Sequence, residues 1–175
     1  MKKWLSLIIL VIVLIIGLFY FTKLSGSTNA ASVNGENITR QAFNSSLQEA
    51  QNMHNWQKQP AANINTLQRD ILNNLIDGAL IKQYASSHSI TVSDSEVNNR
   101  YIITVGSYNN RDNLTSSSDN AFLARINQMY GIGKNEYLQT IKMDLLKQKV
   151  QASVGEPLVL WLTRQKKSAD IKTSP

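Results

Sequence analysis

The sequence predicts a mostly α-helical protein: an N-terminal transmembrane helix, then a helical domain whose two ends are joined by a small two-stranded β-ribbon. Three observations support this prediction. An apolar run interrupted only by Ser6, Gly17 and Tyr20 lies near the N-terminus, apolar residues recur at helical spacing in several later segments, and short extended segments lie at both ends of the remaining chain. About 150 residues follow the apolar run, which is enough for one globular unit.

The apolar run extends from Trp4 to Phe21. As a helix it would span ~27 Å, close to the ~30 Å hydrocarbon core of a bilayer. Lys2 and Lys3 precede it and a single Lys23 follows it, so the positive-inside bias places the N-terminus in the cytoplasm and the rest of the chain outside.

We therefore predict an uncleaved single-pass anchor in the cytoplasmic membrane at residues 1–23, a flexible linker at residues 24–31 and one domain at residues 32–175. The alternative is a cleaved signal peptide with a small-residue site near Ala30, although the apolar run is longer than such a peptide needs. Both interpretations place the domain outside the cytoplasm.

The first elements after the linker are a strand at Ser32–Asn34, a turn at Asn34-Gly35 and a helix capped by Thr39. That helix is predicted from Arg40 to about Lys58, with Phe43, Leu47 and Ala50 on one face.

Residues 59–62 interrupt the helical pattern, and Asn65 or Thr66 is predicted to open the next helix. Its apolar face continues to Tyr84 and its pattern ends at Ser87-His88-Ser89. The following sequence, Ser93 to Glu96, has the spacing of a capping box and starts another helix.

Residues 106–118 are predicted to form a polar loop. Asp119 or Asn120 is predicted to cap a helix that ends at Gly131. A further helix follows Gly133, and Gly155-Glu156-Pro157 interrupts the chain again. The last helix precedes Asp170–Thr173, which we expect to pair with Ser32–Asn34.

No pattern in the chain points to catalysis. There is no cysteine, which excludes disulfides, thiolate zinc sites and cysteine nucleophiles. The two histidines, His54 and His88, lie far apart in sequence and are expected to be structural or solvent-exposed. Without the three lysines that flank the apolar run, 15 basic and 12 acidic residues remain, which is too weak a charge for nucleic-acid binding. We predict a non-enzymatic protein with no metal and no cofactor.

The order of these motifs resembles the N-terminal chaperone module of SurA-type periplasmic folding factors, which the membrane-anchored PpiD and PrsA-type foldases also contain. The module opens with a pattern V-N-G-x-x-I-(S/T)-x-x-x-F, and closes with a helix of the type WLxxxRxxAxI and a strand. The chain matches the opening at Val33, Asn34, Gly35, Ile38, Thr39 and Phe43, and the closing element at Trp161, Leu162, Ala169 and Ile171. Full-length members carry parvulin isomerase domains before the closing helix, where this chain has only four or five residues.

The resemblance implies an ATP-independent chaperone of newly exported polypeptides, without isomerase activity. It does not specify the oligomeric state. Its clients would bind an open helical cleft. Met and aromatic residues suit such promiscuous contacts, and the candidates are Met53, Trp56, Tyr101, Tyr108, Phe122, Met129 and Tyr130. The alternative role of each is ordinary core packing. The alternative function is a helical adaptor or assembly subunit with one fixed partner in an envelope or secretion complex.

Overall fold

The computed structural model describes residues 28–60, 63–109 and 116–174. In this part of the chain six helices accompany a three-stranded sheet. The elements are β1 (Asn29–Val33), β2 (Glu36–Thr39), α1 (Arg40–Trp56), α2 (Ile64–Ser87), α3 (Asp94–Asn109), α4 (Ser116–Tyr130), α5 (Lys134–Val154), α6 (Leu158–Ser168) and β3 (Ile171–Thr173). The prediction of a mostly helical protein is confirmed.

The sheet joins the two ends of the described chain, and its strand order is β2-β1-β3. β3 pairs antiparallel with β1, with Val33 opposite Ile171 and Ser32 opposite Lys172. The expected pairing of the closing and opening strands is therefore confirmed. The expectation of two strands was wrong, because the residues after the Asn34-Gly35 turn form a hairpin strand before the helix begins.

Local signals account for most helix starts. The Ala42 N–H donates to Thr39 Oγ1 over 3.1 Å, and the Glu96 N–H donates to Ser93 Oγ over 3.2 Å, so both predicted caps are confirmed. Hydrogen bonds from Lys149 and Ser93 lower the pKa of Glu96 to about 2.

Three predicted helix boundaries were wrong: the start of α2, the end of α3 and the start of α4. Asn63 caps α2, since its side-chain oxygen accepts from the Asn65 and Thr66 N–H groups. The polar segment at residues 106–118 is shorter than predicted: α3 continues to Asn109 and α4 begins at Ser116. Asp119 is consequently inside α4, where its carboxylate accepts a hydrogen bond from the Tyr101 hydroxyl instead of capping the helix.

Two clusters of buried side chains form the core. The first lies between the sheet, α2, the end of α5 and α6, and includes Val33, Ile81, Val150 and Trp161. The second lies between α3, α4 and the start of α5; its buried members are Val92, Val97, Tyr101, Val105, Phe122, Ile126 and Ile141. α5 contributes to both clusters, and Leu146 packs against each of them. α5 therefore connects the two halves of the domain.

Candidate functional site

Helix α1 packs against α2 on one side and α4 on the other. None of its 17 residues is fully buried. The apolar residues Phe43, Leu47, Ala50 and Met53 are all half-buried. Since an amphipathic helix of this length normally embeds its apolar face in the core, α1 leaves more of that face accessible than its neighbours do.

A hollow of about 280 Å³ lies between β2, the start of α1, α2 and α5. Its apolar lining comes from Ala42 of α1, Leu75 and Gly78 of α2 and Met143 of α5, and two lysines, Lys82 and Lys147, border it. We call it the first hollow. Its mixed lining suits an apolar side chain of a bound segment, with a polar group beside it.

A second hollow of about 440 Å³ lies between the other half of α1 and the joint that connects α4 to α5. Its lining is more polar and includes Gln48, Glu49 and Asn52 of α1 with Glu136 of α5. Partial burial and the nearby Glu136 carboxylate raise the pKa of Glu49.

The joint beside the second hollow is held by one close contact with α1. The Asn52 side-chain amide donates to the Tyr130 carbonyl oxygen over 2.9 Å. Gly131, the next residue, has a φ of +75°, and a Cβ there would lie 2.5 Å from Asn52 Nδ2. Glycine is required at this position for both its backbone conformation and the space that it leaves.

Replacing Gly131 by alanine is expected to lower the free energy of unfolding by about 1–3 kcal/mol, because left-handed backbone strain adds to the displacement of Asn52. Gly155→Ala is the matched control: its φ is +69° and nothing lies within 4 Å of the added Cβ. Urea unfolding should show a smaller loss for Gly155→Ala. Equal losses in the two variants would show that the Asn52 contact contributes nothing.

The sequence profile of the SurA-like N-terminal domain family matches residues 1–151. The chain belongs to this family. It is also 29% identical over 151 residues to the periplasmic chaperone PpiD of Escherichia coli strain K12, and equally to that of Escherichia coli O6:H1. Each alignment covers 82% of this chain and 23% of the relative, so the chain spans less than a quarter of the length of the curated relatives it matches.

The seven predicted client-binding residues lie in two different regions of the SurA-like domain. Tyr101 and Phe122 are core residues: Tyr101 is 1% exposed, and its ring packs edge-to-face on Phe122 with the centroids 6.0 Å apart. Tyr108 also packs on Phe122 but is 51% exposed. Tyr101 and Phe122 are buried because α3, α4 and α5 converge on them, which fits the alternative of core packing, and contact of these residues with a client stays a prediction.

The other four predicted residues lie where α1 meets the end of α4. Met53, Trp56, Met129 and Tyr130 are all half-buried. The Arg125 guanidinium lies 4.1 Å from the centroid of the Trp56 ring, which places a cation over the ring face. Whether these side chains contact a client stays a prediction.

Sequence reasoning missed the apolar residues of the first hollow. Leu75 belongs to the apolar face that the sequence predicts for the helix ending near Ser87, and Met143 is not among the predicted client-binding residues although its residue type suits adaptable contacts. A signal was present at Gly78, a glycine in the middle of a helical pattern. Sequence spacing alone does not show that α2 and α5 bring these positions together.

Two further predictions concern metal binding and the membrane. The described residues contain no group of three or more histidine or acidic side chains that could hold a metal ion. Among the helices of residues 28–60, 63–109 and 116–174, none has both the length and the apolar content needed to cross a bilayer. The predicted anchor, Trp4 to Phe21, lies outside the described residues.

Proposed function

We propose that this chain is a membrane-anchored, extracytoplasmic chaperone that holds unfolded or newly exported polypeptides without ATP and without isomerase activity. Membership of the SurA-like N-terminal domain family and the likeness to PpiD, itself a periplasmic chaperone, support this proposal. The observation that carries it is the half-buried apolar face of α1 beside the first hollow.

The proposal includes a division into an anchor at residues 1–23, a linker and a chaperone domain. The expected linker at residues 24–31 is too long, because Asn29–Val33 form β1 and Ala30 and Ala31 are buried in the first core cluster, so the domain begins at β1 and not at residue 32. Only Gly155, Glu156 and Pro157 separate α5 from α6, whereas an inserted isomerase domain would need about a hundred residues. An X-Pro tetrapeptide assay is therefore expected to show no catalysed isomerisation.

Binding in such a site is expected to be weak. A client segment that buries a few hundred Å² of apolar surface gains only several kcal/mol at ~25 cal/mol per Å², and the ordering of the client consumes part of that gain. Weak binding with fast exchange suits an ATP-independent chaperone, since the client must dissociate in order to fold.

An aggregation assay with two unrelated unfolded clients tests the proposal. The full chain in lipid nanodiscs is expected to delay the aggregation of both clients at near-equimolar ratios. Ala42→Glu places a charge on the exposed wall of the first hollow, so about three- to tenfold more protein should be needed for the same delay.

Gln41→Glu is the matched control, because Gln41 is the exposed neighbour on α1, does not line the hollow and gains the same charge. Protection of neither client by the unchanged protein would refute the chaperone function. Equal losses in the Ala42 and Gln41 variants would place client binding elsewhere.

The adaptor function remains the second candidate because of one feature of α6. Val159 and Leu160 are adjacent and are 69% and 54% exposed, which makes a small apolar patch. An adaptor would protect no client and would co-purify with one protein, and Val159→Ser with Leu160→Ser would abolish that co-purification.

A further inference from the structure

The two hollows open on the same face of α5. Glu136, which borders the second hollow, lies seven residues before Met143 and eleven before Lys147, which border the first. Residues at these spacings share one side of a helix. Thr140 lies between them on this side and is exposed.

α1 shows the same arrangement. Ala42 borders the first hollow and Glu49, two helical turns later, borders the second. α1 and α5 therefore run antiparallel, and each hollow is bordered by both helices. We give the name α1–α5 trench to the two hollows together with the surface between them, from Lys147 and Ala42 at one end to Glu136 and Glu49 at the other.

One end of the trench is basic. Lys82 forms no ion pair with any described residue, and Lys147 lies 3.4 Å from Asp144 in a solvent-exposed pair of small energetic value. Glu36 also lines this end, so the two lysines and one carboxylate give it a net charge of +1.

The other end is acidic. Glu136 accepts a hydrogen bond from the Gly133 N–H at the start of α5. Within the part of the chain that the structure describes, Glu49 has neither a hydrogen-bond donor nor a cation beside it, and it lies close enough to Glu136 to be repelled. A positive group from outside would relieve this repulsion.

We propose that the trench binds extended client segments with a basic side chain at one end, a carboxylate at the other and apolar side chains between them. The eleven residues from Glu136 to Lys147 correspond to ~16 Å of helix, which an extended peptide covers in about five residues. The apolar centre would lie on Met143 and Leu75, between the two charged ends. This inference rests on the proposed chaperone function and adds a charge pattern to its clients.

Four seven-residue fluorescent peptides with blocked termini and the same aliphatic centre test the pattern. Their two end residues are Lys and Glu, Ser and Ser, Lys and Lys, or Glu and Glu. The Lys–Glu peptide is expected to bind the full chain about three- to tenfold more tightly than the Ser–Ser peptide, and the two like-charged peptides less tightly than the Lys–Glu peptide. Higher salt should shrink these differences.

Charge-reversal variants sharpen the test. Glu49→Lys places a cation beside Glu136 and makes that end of the trench neutral, so the Lys–Glu peptide should lose its advantage over the Glu–Glu peptide. Lys82→Glu combined with Lys147→Glu makes the trench acidic, so the Lys–Lys peptide should become the tightest. Lys167→Glu is the control, since Lys167 is exposed on α6 away from the trench, and its peptide ranking should match that of the unchanged protein.

If the order of peptide affinities is the same in all variants and at all salt concentrations, the proposed charge pattern is wrong. If the clients of the aggregation assay are still protected in that case, the chaperone function stands and the charge pattern alone fails. If no peptide binds and no client is protected, both fail. Circular dichroism and urea midpoints of each variant verify that the fold is retained.

Discussion

Replacing Trp161 by alanine is expected to lower the free energy of unfolding by about 3–5 kcal/mol, the usual cost of removing a buried large aromatic side chain. Trp161 is 4% exposed and lies in the first core cluster. Its ring packs edge-to-face on Tyr84 with the centroids 5.1 Å apart. The loss is large because Trp161 attaches α6, and with it strand β3, to the rest of the domain.

Leu160→Ala provides the matched control, because Leu160 is the preceding residue of the same helix and is 54% exposed. Urea unfolding should give a lower midpoint for Trp161→Ala at an unchanged slope, and nearly no change for Leu160→Ala. Similar midpoints for the two variants would mean that α6 does not pack on the first cluster as described.

The second large effect concerns a polar group in the other cluster. The hydroxyl of the buried Tyr101 donates to the Asp119 carboxylate, and Lys134 Nζ lies 2.9 Å from the same carboxylate. Asp119→Ala would leave the Tyr101 hydroxyl without its acceptor, at a cost of about 1–3 kcal/mol. Tyr101→Phe in the same chain should recover part of this loss, because both partners are then absent.

The same contact predicts a pH dependence. Burial by itself would raise the pKa of Asp119, but the hydrogen bond from Tyr101 and the Lys134 ammonium outweigh it, so the pKa lies below its ordinary value. The stabilisation by the carboxylate is therefore complete above the ordinary pKa of an aspartate and is lost as the pH falls through the lower, folded-state value.

Urea unfolding of the unchanged protein and of Asp119→Ala from pH 7 to pH 2 measures this dependence. The difference between their free energies of unfolding should stay constant down to about pH 4 and narrow below it. A constant difference down to pH 2 would show that the carboxylate has no special stabilisation in the folded state.

Several helix starts were predictable from the sequence because the hydrogen bonds that mark them join residues four positions apart or fewer. The Thr39 cap and the Ser93–Glu96 box are such signals, and both are present. The helix boundaries that failed were those in Asn- and Ser-rich segments, where several residues could cap. At Asp119 a contact across the second cluster decided the role of the side chain, and no local pattern reports such a contact.

For the candidate site, the sequence predicted the types of residue that would bind a client but not their positions in the fold. Met and aromatic side chains were chosen for adaptability, yet Tyr101 and Phe122 proved to be core residues. Residues of the first hollow come from β2, α1, α2 and α5, which are up to about a hundred positions apart in sequence. Helical periodicity identifies an apolar face but does not say which other element covers it or how completely.

The helical class, the caps at Thr39 and Ser93 and the likeness to SurA-type modules are predictable from the residues alone, since these depend on residue order and local hydrogen bonding. The half-embedded position of α1 and the placement of Glu49 beside Glu136 became apparent only from the packing of the helices. The reason is that exposure and charge proximity are set by how helices pack over long sequence separations, which the spacing of residues within one helix does not specify.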